Sequence, residues 1–139
     1  PPPSRNDGAL EKQYYFEGLN KGSIQQVTKA FTKLRVPMND VRIQQGWFNS
    51  TLKSVDLGCI AILHIDADWY DSVMSCLNAL YHKVVPGGFI VSDDYGFWDG
   101  CGRSLCDFFA QNDLDQIELK QADSTGIYFQ KPTSKETDT

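Results

Sequence analysis

One nearly continuous apolar segment, Cys59–Ile65, constrains the fold of this chain more than any other feature. Strands that are buried on both faces of a parallel sheet have this composition, because helices cover both sides of the sheet. A second short segment of this kind, Phe89–Ser92, follows the turn-forming Pro86-Gly87-Gly88. Apolar positions from Tyr70 to about Val84 recur at helical spacing. These elements predict a β-α-β unit with a right-handed crossover.

The remaining segments extend this unit into an α/β domain. The other predicted elements are a helix that starts at the capping-box residue Ser23, a short strand at 41–43, a helix at about 102–112, and two alternating strands, Ile117–Gln121 and Gly126–Gln130. The last two strands suit an antiparallel pair at one edge. The order predicts an α/β fold with a mostly parallel sheet and an antiparallel C-terminal edge pair.

Length and charge limit the number of domains and the kinds of partner. The 139 residues, 41% of them hydrophobic, suffice for one compact domain. We predict an irregular lead-in at 1–13, one domain at 14–131, and a polar, disordered tail at 132–139. The net charge of −5 argues against nucleic acid and anionic membranes as partners.

The expected location is the cytoplasm. No apolar segment approaches the roughly 20 residues that span a bilayer, and Pro1-Pro2-Pro3-Ser4 does not resemble a signal peptide. The four cysteines lack the close CxxC spacing of a zinc site, so we expect reduced thiols.

Four aspartates follow the two buried strands. Asp66 and Asp68 come after the first strand, and Asp93 and Asp94 come after the second. If the strands are neighbours, their ends lie about 5 Å apart. Asp66 and Asp68 would point the same way while the backbone stays extended. In such sheets ligands bind beyond the carboxyl ends of the strands.

Four carboxylates at one rim repel each other unless a cation lies among them or some are protonated. Oxygen ligands are those that Mg²⁺ prefers. A metal site is therefore predicted. The alternative is that these aspartates cap helices and form turns, but capping explains one or two acids and not both pairs.

Several neighbouring side chains could form a binding pocket. His64, on the same face as Asp66, could contact substrate, or it could be a satisfied core histidine. Tyr95 and Trp98 could form the wall of a substrate pocket, although aromatic residues near a strand end more often simply pack. Trp47 and Phe48, after Gly46, could face an adenine ring or be buried.

Three segments together resemble the macrocin O-methyltransferase family, whose members are S-adenosylmethionine-dependent sugar O-methyltransferases. The segments are Gly46-Trp47-Phe48-Asn49-Ser50-Thr51-Leu52, Ile65-Asp66-Ala67-Asp68-Trp69-Tyr70-Asp71-Ser72 and Pro86-Gly87-Gly88-Phe89-Ile90-Val91-Ser92-Asp93-Asp94-Tyr95-Gly96. The ending Thr125-Gly126-Ile127-Tyr128 is similar to the family's last strand. The resemblance extends from about Gly18 to Lys131.

The resemblance implies a Rossmann-like class I methyltransferase sheet and a role for each acid. Asp66, Asp93 and Asp94 match the metal ligands, usually of Mg²⁺, and Asp68 matches the proposed general base. Residues 46–48 are expected near S-adenosylmethionine. The acceptor is expected to be the hydroxyl of a sugar-like small molecule.

The sequence also departs from the family pattern. Ala67 stands where a glycine is usual and His64 where an arginine is usual, which affects the substrate pocket. A first strand with a glycine-rich loop and a second strand with a ribose-binding acid are not evident, and the glycines form no GxGxxG-like turn. We therefore expect a C-terminal portion that lacks the first two strands, is inactive alone, and forms homo-oligomers through exposed sheet edges.

Two other functions remain open from the residues alone. Haloacid-dehalogenase-type phosphatases also combine a DxD with a DD motif, and Asp66 would then be the nucleophile and Asp68 the acid. Against this, a helix is predicted directly after Asp68, and a single crossover separates the two motifs. The second alternative is a domain that binds metal or a partner without turnover.

Overall fold

The computed structural model describes residues 1–19 and 21–133, so most of the predicted polar tail lies outside the described residues. In chain order the helices and strands are α1 (Ala9–Tyr14), α2 (Ile24–Lys33), a 3₁₀ turn (Met38–Asp40), α3 (Phe48–Thr51), β1 (Ile60–Ile65), α4 (Tyr70–Leu80), a 3₁₀ turn (Tyr81–Lys83), β2 (Val84–Ser92), α5 (Asp99–Gln111), β3 (Lys120–Gln121) and β4 (Ile127–Gln130). The described helices are too short to cross a membrane.

One four-stranded sheet, in the order β1-β2-β4-β3, organises the described chain. Strands β1 and β2 are parallel and lie side by side, joined through α4, as the predicted β-α-β unit requires. Strand β4 pairs antiparallel with β2 and with β3, which forms the predicted antiparallel edge pair. The predicted α/β architecture is confirmed.

The core lies between one face of the sheet and helices α4 and α5. Side chains of β1, β2, α4 and α5 with almost no exposure, including Leu63, Ile90, Leu77 and Leu105, meet there. On the other face Ile62 is 65% exposed and Phe89 is 40% exposed. The prediction that β1 is buried on both faces is therefore wrong for the described residues.

Several predicted segments differ from the structure. The lead-in predicted to be irregular contains α1, and the predicted strand at 41–43 does not form. Val41 has extended backbone angles, but residues 41–43 pair with no strand among the described residues, and an unpaired strand gains no ladder hydrogen bonds. Helix α4 ends at Leu80, before the predicted Val84. Strand β2 begins at Val84 and includes the predicted turn at 86–88, α5 begins at Asp99, and β3 forms only Lys120–Gln121 of its predicted strand.

Helix α2 begins as predicted. The Ser23 hydroxyl accepts from the Gln26 amide at 3.2 Å, and the Gln26 side chain accepts from the Ser23 amide at 2.8 Å, which completes the capping box. None of its described residues is buried, so capping and helix propensity carry more of its stability than core packing does. The four cysteines are free, as predicted.

The two strands offer a matched test of core packing. Ile90 in β2 is fully buried, whereas Ile62 in the neighbouring β1 is 65% exposed. Ile90→Val removes a buried methylene, so it should lower the free energy of unfolding by about 0.5–1.5 kcal/mol. Ile62→Val should change it by less than about 0.5 kcal/mol. Urea unfolding followed by circular dichroism measures both, and equal losses would contradict the assignment of faces.

Candidate functional site

The four aspartates lie at one edge of the sheet, as predicted. Strands β1 and β2 are in register up to the pair Ile65–Ser92, and the Asp93 amide donates to the Ile65 carbonyl at 3.0 Å. Asp66 therefore begins one loop at the carboxyl end of β1, and Asp93 begins another at the carboxyl end of β2. We call residues 66–69 and 93–98 the two acidic loops.

Three of the aspartates form a compact group. One carboxylate oxygen from each of Asp66, Asp68 and Asp94 lies within 4.8 Å of the other two. Asp93 lies beside His64 instead, with 3.7 Å between Oδ1 and Nε2, an ion pair whenever the imidazole is protonated. Both of these side chains are about half exposed. The structure thus places the predicted base, Asp68, within the group, and it brings His64 to the predicted ligand Asp93.

The backbone at Asp68 is left-handed, with a φ of 55°. The Trp69 amide donates to the Ala67 carbonyl at 2.6 Å, which closes a three-residue γ-turn centred on Asp68. The expectation of an extended backbone through Asp68 is therefore wrong. Aspartate tolerates this region better than most residues, and such strained conformations concentrate at functional sites.

The acidic cluster is electrostatically strained. Burial, followed by the negative charge of Asp68 and a hydrogen bond with it, raises the pKa of Asp94 to about 7, and Asp66 and Asp93 add to the effect. Burial and the charges of Asp93 and Asp68 also raise the pKa of Asp66, and His64 partly opposes this. Oδ2 of Asp94 is buried and has no hydrogen-bond partner among the described residues.

These observations fit a divalent cation. The donor set consists of carboxylates, which Mg²⁺ and similar hard cations prefer. One oxygen of Asp94 is buried with no hydrogen-bond partner within residues 1–19 and 21–133, and the pKa of this carboxyl is raised. Carboxylates show both features when no positive charge balances them. Asp66, Asp68, Asp94 and the adjacent Asp93 could therefore hold such an ion.

A cavity of about 730 Å³ opens onto this cluster. The described residues that line it are Pro1, Pro2, Tyr15, Glu17, Gly18, Leu19, Lys21, Trp47, Phe48, Asp66, Ala67, Asp68, Trp69 and Ser72. Trp47 is 62% exposed and Phe48 is also exposed, so both are available to a ligand. Gly46 is not among the lining residues, and its φ of 140° serves the turn into α3.

The predicted substrate residues Tyr95 and Trp98 are also not among the lining residues. Both are partly buried against the core, and the Trp98 ring lies 5.4 Å from the ring of Trp69 and 4.5 Å from that of Phe97. Burial raises the pKa of Tyr95. Packing, the alternative considered from the sequence, describes these two residues better than a pocket wall does.

Two buried acids near the N-terminus were not identified from the sequence. Asp7 accepts a hydrogen bond from the first backbone amide of α4, and Glu11 accepts one from an amide in the first turn of α5. The sequence contains only a weak indication that these two acids cap the helices. Both helices have a tryptophan at the N-cap, which cannot cap through its side chain, so the cap had to come from elsewhere in the chain.

The fold and the acidic site together define the class of protein. A mixed α/β sheet with a parallel β-α-β unit and acids at its carboxyl edge is a Rossmann-like methyltransferase fold. The chain closely matches the structure of the O-methyltransferase NovP, with a TM-score of 0.84 and 28% identity over 96% of this chain and 56% of that one.

The chain belongs to the Macrocin-O-methyltransferase (TylF) family, whose family model matches residues 1–131. It is 32% identical over 109 residues to the demethyldecarbamoylnovobiocin O-methyltransferase of Streptomyces niveus, covering 78% of this chain and 41% of that protein. It is 27% identical over 126 residues to the mycinamicin III 3''-O-methyltransferase of Micromonospora griseorubida, covering 90% of this chain and 49% of that protein.

The chain therefore spans about half the length of these relatives. The family match favours the methyltransferase interpretation over the phosphatase alternative. The structure agrees with this preference, since α4 starts two residues after Asp68 and a single crossover joins β1 to β2.

Proposed function

We propose that this chain is the C-terminal part, residues 14–131, of a methyltransferase domain that is dependent on S-adenosylmethionine and Mg²⁺. The acceptor would be a hydroxyl of a sugar or a similar vicinal diol. The observation that carries the proposal is the compact group of Asp66, Asp68 and Asp94. Two of these acids, Asp66 and Asp68, line a cavity that Trp47 and Trp69 also line. The names of the relatives, which describe O-methyltransferases acting on demethyldecarbamoylnovobiocin and on mycinamicin III, support a small-molecule acceptor.

The acids divide between two roles in this proposal. Asp66, Asp93 and Asp94 would hold Mg²⁺, which supplies Lewis acidity that favours loss of a proton from the acceptor hydroxyl. S-adenosylmethionine supplies the methyl group as an electrophile. Asp68 would accept the proton that the acceptor hydroxyl loses as its oxygen takes the methyl group, and the S–CH3 bond would break to leave S-adenosylhomocysteine. The proximity of Asp68 to Asp66 and Asp94 would keep the base next to the metal.

The cavity walls would orient the two substrates. Trp47 and Phe48, in the turn that follows Gly46, would contact the adenosine portion of the cofactor. His64 beside Asp93 would adjust the charge at the outer side of the metal site.

Part of the cofactor site would come from chain outside these residues. Strand β1 lies at the sheet edge, and Ile62 on it is 65% exposed, so additional strands or a second copy of the chain could cover this region. We propose that the isolated chain binds Mg²⁺ but binds S-adenosylmethionine weakly, and that it self-associates at high concentration. Sedimentation at increasing protein concentration tests the last point.

Calorimetry tests the proposed function. Titration of Mg²⁺ into the 139-residue chain should give binding, and S-adenosylmethionine should bind much more tightly to a protein that also contains the segment N-terminal to these residues. Cofactor binding by neither protein would overturn the methyltransferase proposal. Metal binding with no cofactor binding in either would instead support a metal-binding domain without turnover.

Trp47 offers a specific test of the cofactor wall. Trp47→Ala should weaken S-adenosylmethionine binding by about tenfold or more in the extended protein, because a stacked aromatic ring contributes on the order of 1–3 kcal/mol per base. Phe16→Ala is the matched control, because Phe16 is 61% exposed and is not among the residues that line the cavity. Equal effects of the two substitutions would contradict the assignment of Trp47.

A further inference from the structure

We propose that Asp7 and Glu11 are positioning residues that hold the two acidic loops in the arrangement needed to bind the metal. This inference rests on the proposed function, since the arrangement matters for Mg²⁺ binding. Both residues come from the segment at 4–15, which we call the N-terminal strap. The strap contains α1 and contacts the start of α4 and the start of α5.

The starts of α4 and α5 lack caps of their own. The N-cap residues are Trp69 and Trp98, and neither side chain caps its helix. The first amides of a helix have no partner within the helix, so they need an acceptor from elsewhere. These two helix starts directly follow the two acidic loops. Whatever fixes them therefore also fixes the ends of those loops.

Asp7 and Glu11 supply the missing acceptors. Oδ1 of Asp7 accepts from the Tyr70 amide at 2.7 Å, and Oε1 of Glu11 accepts from the Gly100 amide at 2.9 Å. Asp7 is 3% exposed and Glu11 is fully buried. A buried acid at a helix N-terminus is stabilised both by the amides and by the helix dipole.

Electrostatics agree with this arrangement for Glu11. Burial acts to raise its pKa, but the backbone amides of Gly100 and of neighbouring residues outweigh burial and hold the pKa below its usual value. Glu11 is therefore a carboxylate at neutral pH. Its second oxygen, Oε2, is buried and has no hydrogen-bond partner among the described residues. Such a buried charge is tolerated only because the fold places it at the helix start.

Further contacts of the strap reach the same two helices. The Arg103 guanidinium of α5 donates to the Asn6 carbonyl at 2.9 Å. The Tyr14 ring lies 6.4 Å from that of Trp98, and the Tyr15 ring lies 6.4 Å from that of Trp69. The strap thus contacts both N-cap residues as well as both sets of amides.

The glycine at position 100 makes this close approach possible. A Cβ atom there would overlap the Asp7 carboxylate, so Asp7 fits only beside a residue without a side chain. Gly8 is similar, since a Cβ there would lie 2.6 Å from Oε2 of Glu11 and 2.7 Å from a carboxylate oxygen of Asp99. The two acids and the two glycines form one tightly packed junction.

The distances along the chain explain why the junction matters for the metal. Tyr70 lies two residues after Asp68, the central residue of the γ-turn, and Gly100 lies six residues after Asp94. A shift of either helix start moves the carboxylate that precedes it. Groups that orient metal ligands without touching the metal typically change metal affinity by about 10- to 100-fold.

The test compares metal binding by variants of the 139-residue chain. Glu11→Ala and Asp7→Ala, titrated with Mn²⁺ or Mg²⁺ by calorimetry, should bind about 10- to 100-fold more weakly than the unsubstituted chain. Glu11→Gln keeps a side-chain oxygen that can accept from Gly100, so it should retain affinity to within a few-fold. This rescue by the amide separates positioning from a direct charge effect on the metal.

Leu80→Ala controls for loss of stability alone. Leu80 is buried at the opposite end of α4, so its truncation destabilises the core away from the acidic loops. All variants are compared at a temperature at which circular dichroism shows them folded. If Glu11→Ala does not fold, Glu11→Asp, which shortens the reach to Gly100 by one methylene, takes its place with the same expected loss of affinity.

A metal-free readout separates this inference from the proposed function. In the absence of metal, the carboxyl ¹³C resonances of Asp66, Asp68 and Asp94 should shift in Glu11→Ala and Asp7→Ala and stay unchanged in Leu80→Ala. No metal binding by the unsubstituted chain would overturn the metal site, and the resonances would still decide the positioning role. Folded strap variants with unchanged affinity and unchanged resonances, or equal effects from Leu80→Ala, would overturn the inference.

Discussion

Asp94→Asn is expected to abolish Mg²⁺ binding and, at the same time, to make the metal-free chain more stable. Loss of a direct carboxylate ligand should weaken binding by more than about 100-fold, since groups that merely orient ligands already contribute 10- to 100-fold. The gain in stability has a separate cause. Oδ2 of Asp94 is buried and has no hydrogen-bond partner in the described part of the chain, so a negative charge there costs free energy in the absence of a cation.

The gain in stability from Asp94→Asn should depend on pH. The pKa of Asp94 is raised to about 7 in the folded chain from a usual 3.8. Between about pH 4 and pH 7 the folded state therefore binds more protons than the unfolded state, so stability falls as pH rises through this window. Asp94→Asn removes this decline. After allowance for solvent screening of a partly exposed group, the difference at neutral pH should be about 1–2 kcal/mol.

Urea unfolding at about pH 5 and about pH 8, with and without Mg²⁺, measures this linkage. Mg²⁺ should stabilise the unsubstituted chain more at the higher pH, because the metal needs the deprotonated carboxylate. Asp115→Asn is the control, since Asp115 is exposed and lies outside the cluster. An Asp94→Asn chain that still binds Mg²⁺, or that is less stable than the unsubstituted chain at both pH values, would contradict the proposed site.

Asp68→Asn is expected to lower the rate of methyl transfer by about 10²- to 10⁴-fold, the usual contribution of a general base. Asparagine keeps the size and shape of the side chain but cannot accept the hydroxyl proton. If Asp68 is the base and Asp93 a ligand, Asp68→Asn should leave Mg²⁺ affinity within several-fold of normal, whereas Asp93→Asn should weaken it strongly.

The measurement requires a protein that also contains the segment N-terminal to these residues, assayed with S-adenosylmethionine and a sugar acceptor. Asp71→Asn is the matched control, because Asp71 is an exposed acid at the start of α4, the helix that follows Asp68. The opposite pattern, in which Asp68→Asn loses Mg²⁺ affinity and Asp93→Asn keeps it, would exchange the two roles. That outcome would follow the observed grouping of Asp68 with Asp66 and Asp94.

The β-α-β unit and its acidic edge could be predicted because the signals are local. The apolar segment that contains β1, the helical periodicity of α4 and the turn before Phe89 each constrain their own residues. Parallel pairing of β1 with β2 then brings the two pairs of aspartates to the same edge. The capping box at Ser23 was equally predictable, since both of its hydrogen bonds lie within four residues.

The predictions that differ from the structure share a different cause, because the features they concern depend on distant parts of the chain. The sequence shows an extended preference at 41–43 but not the lack of a neighbouring strand. The apolar pattern of β1 predicts burial on both faces, but exposure of Ile62 depends on what else packs against the sheet. Trp98 lies close to the acids in sequence, yet it packs against Trp69.

The amino-acid sequence alone therefore predicts the fold class, the family resemblance and the four aspartates at the ends of two strands. How those aspartates divide depends on the folded chain, because a left-handed backbone at Asp68 brings its carboxylate to Asp66 and Asp94 while Asp93 lies beside His64. The folded chain also decides the role of the N-terminal strap. Asp7 meets Tyr70 across 63 residues, and Glu11 meets Gly100 across 89. No periodicity or local motif encodes such contacts, because they exist only once the helices have packed against the sheet.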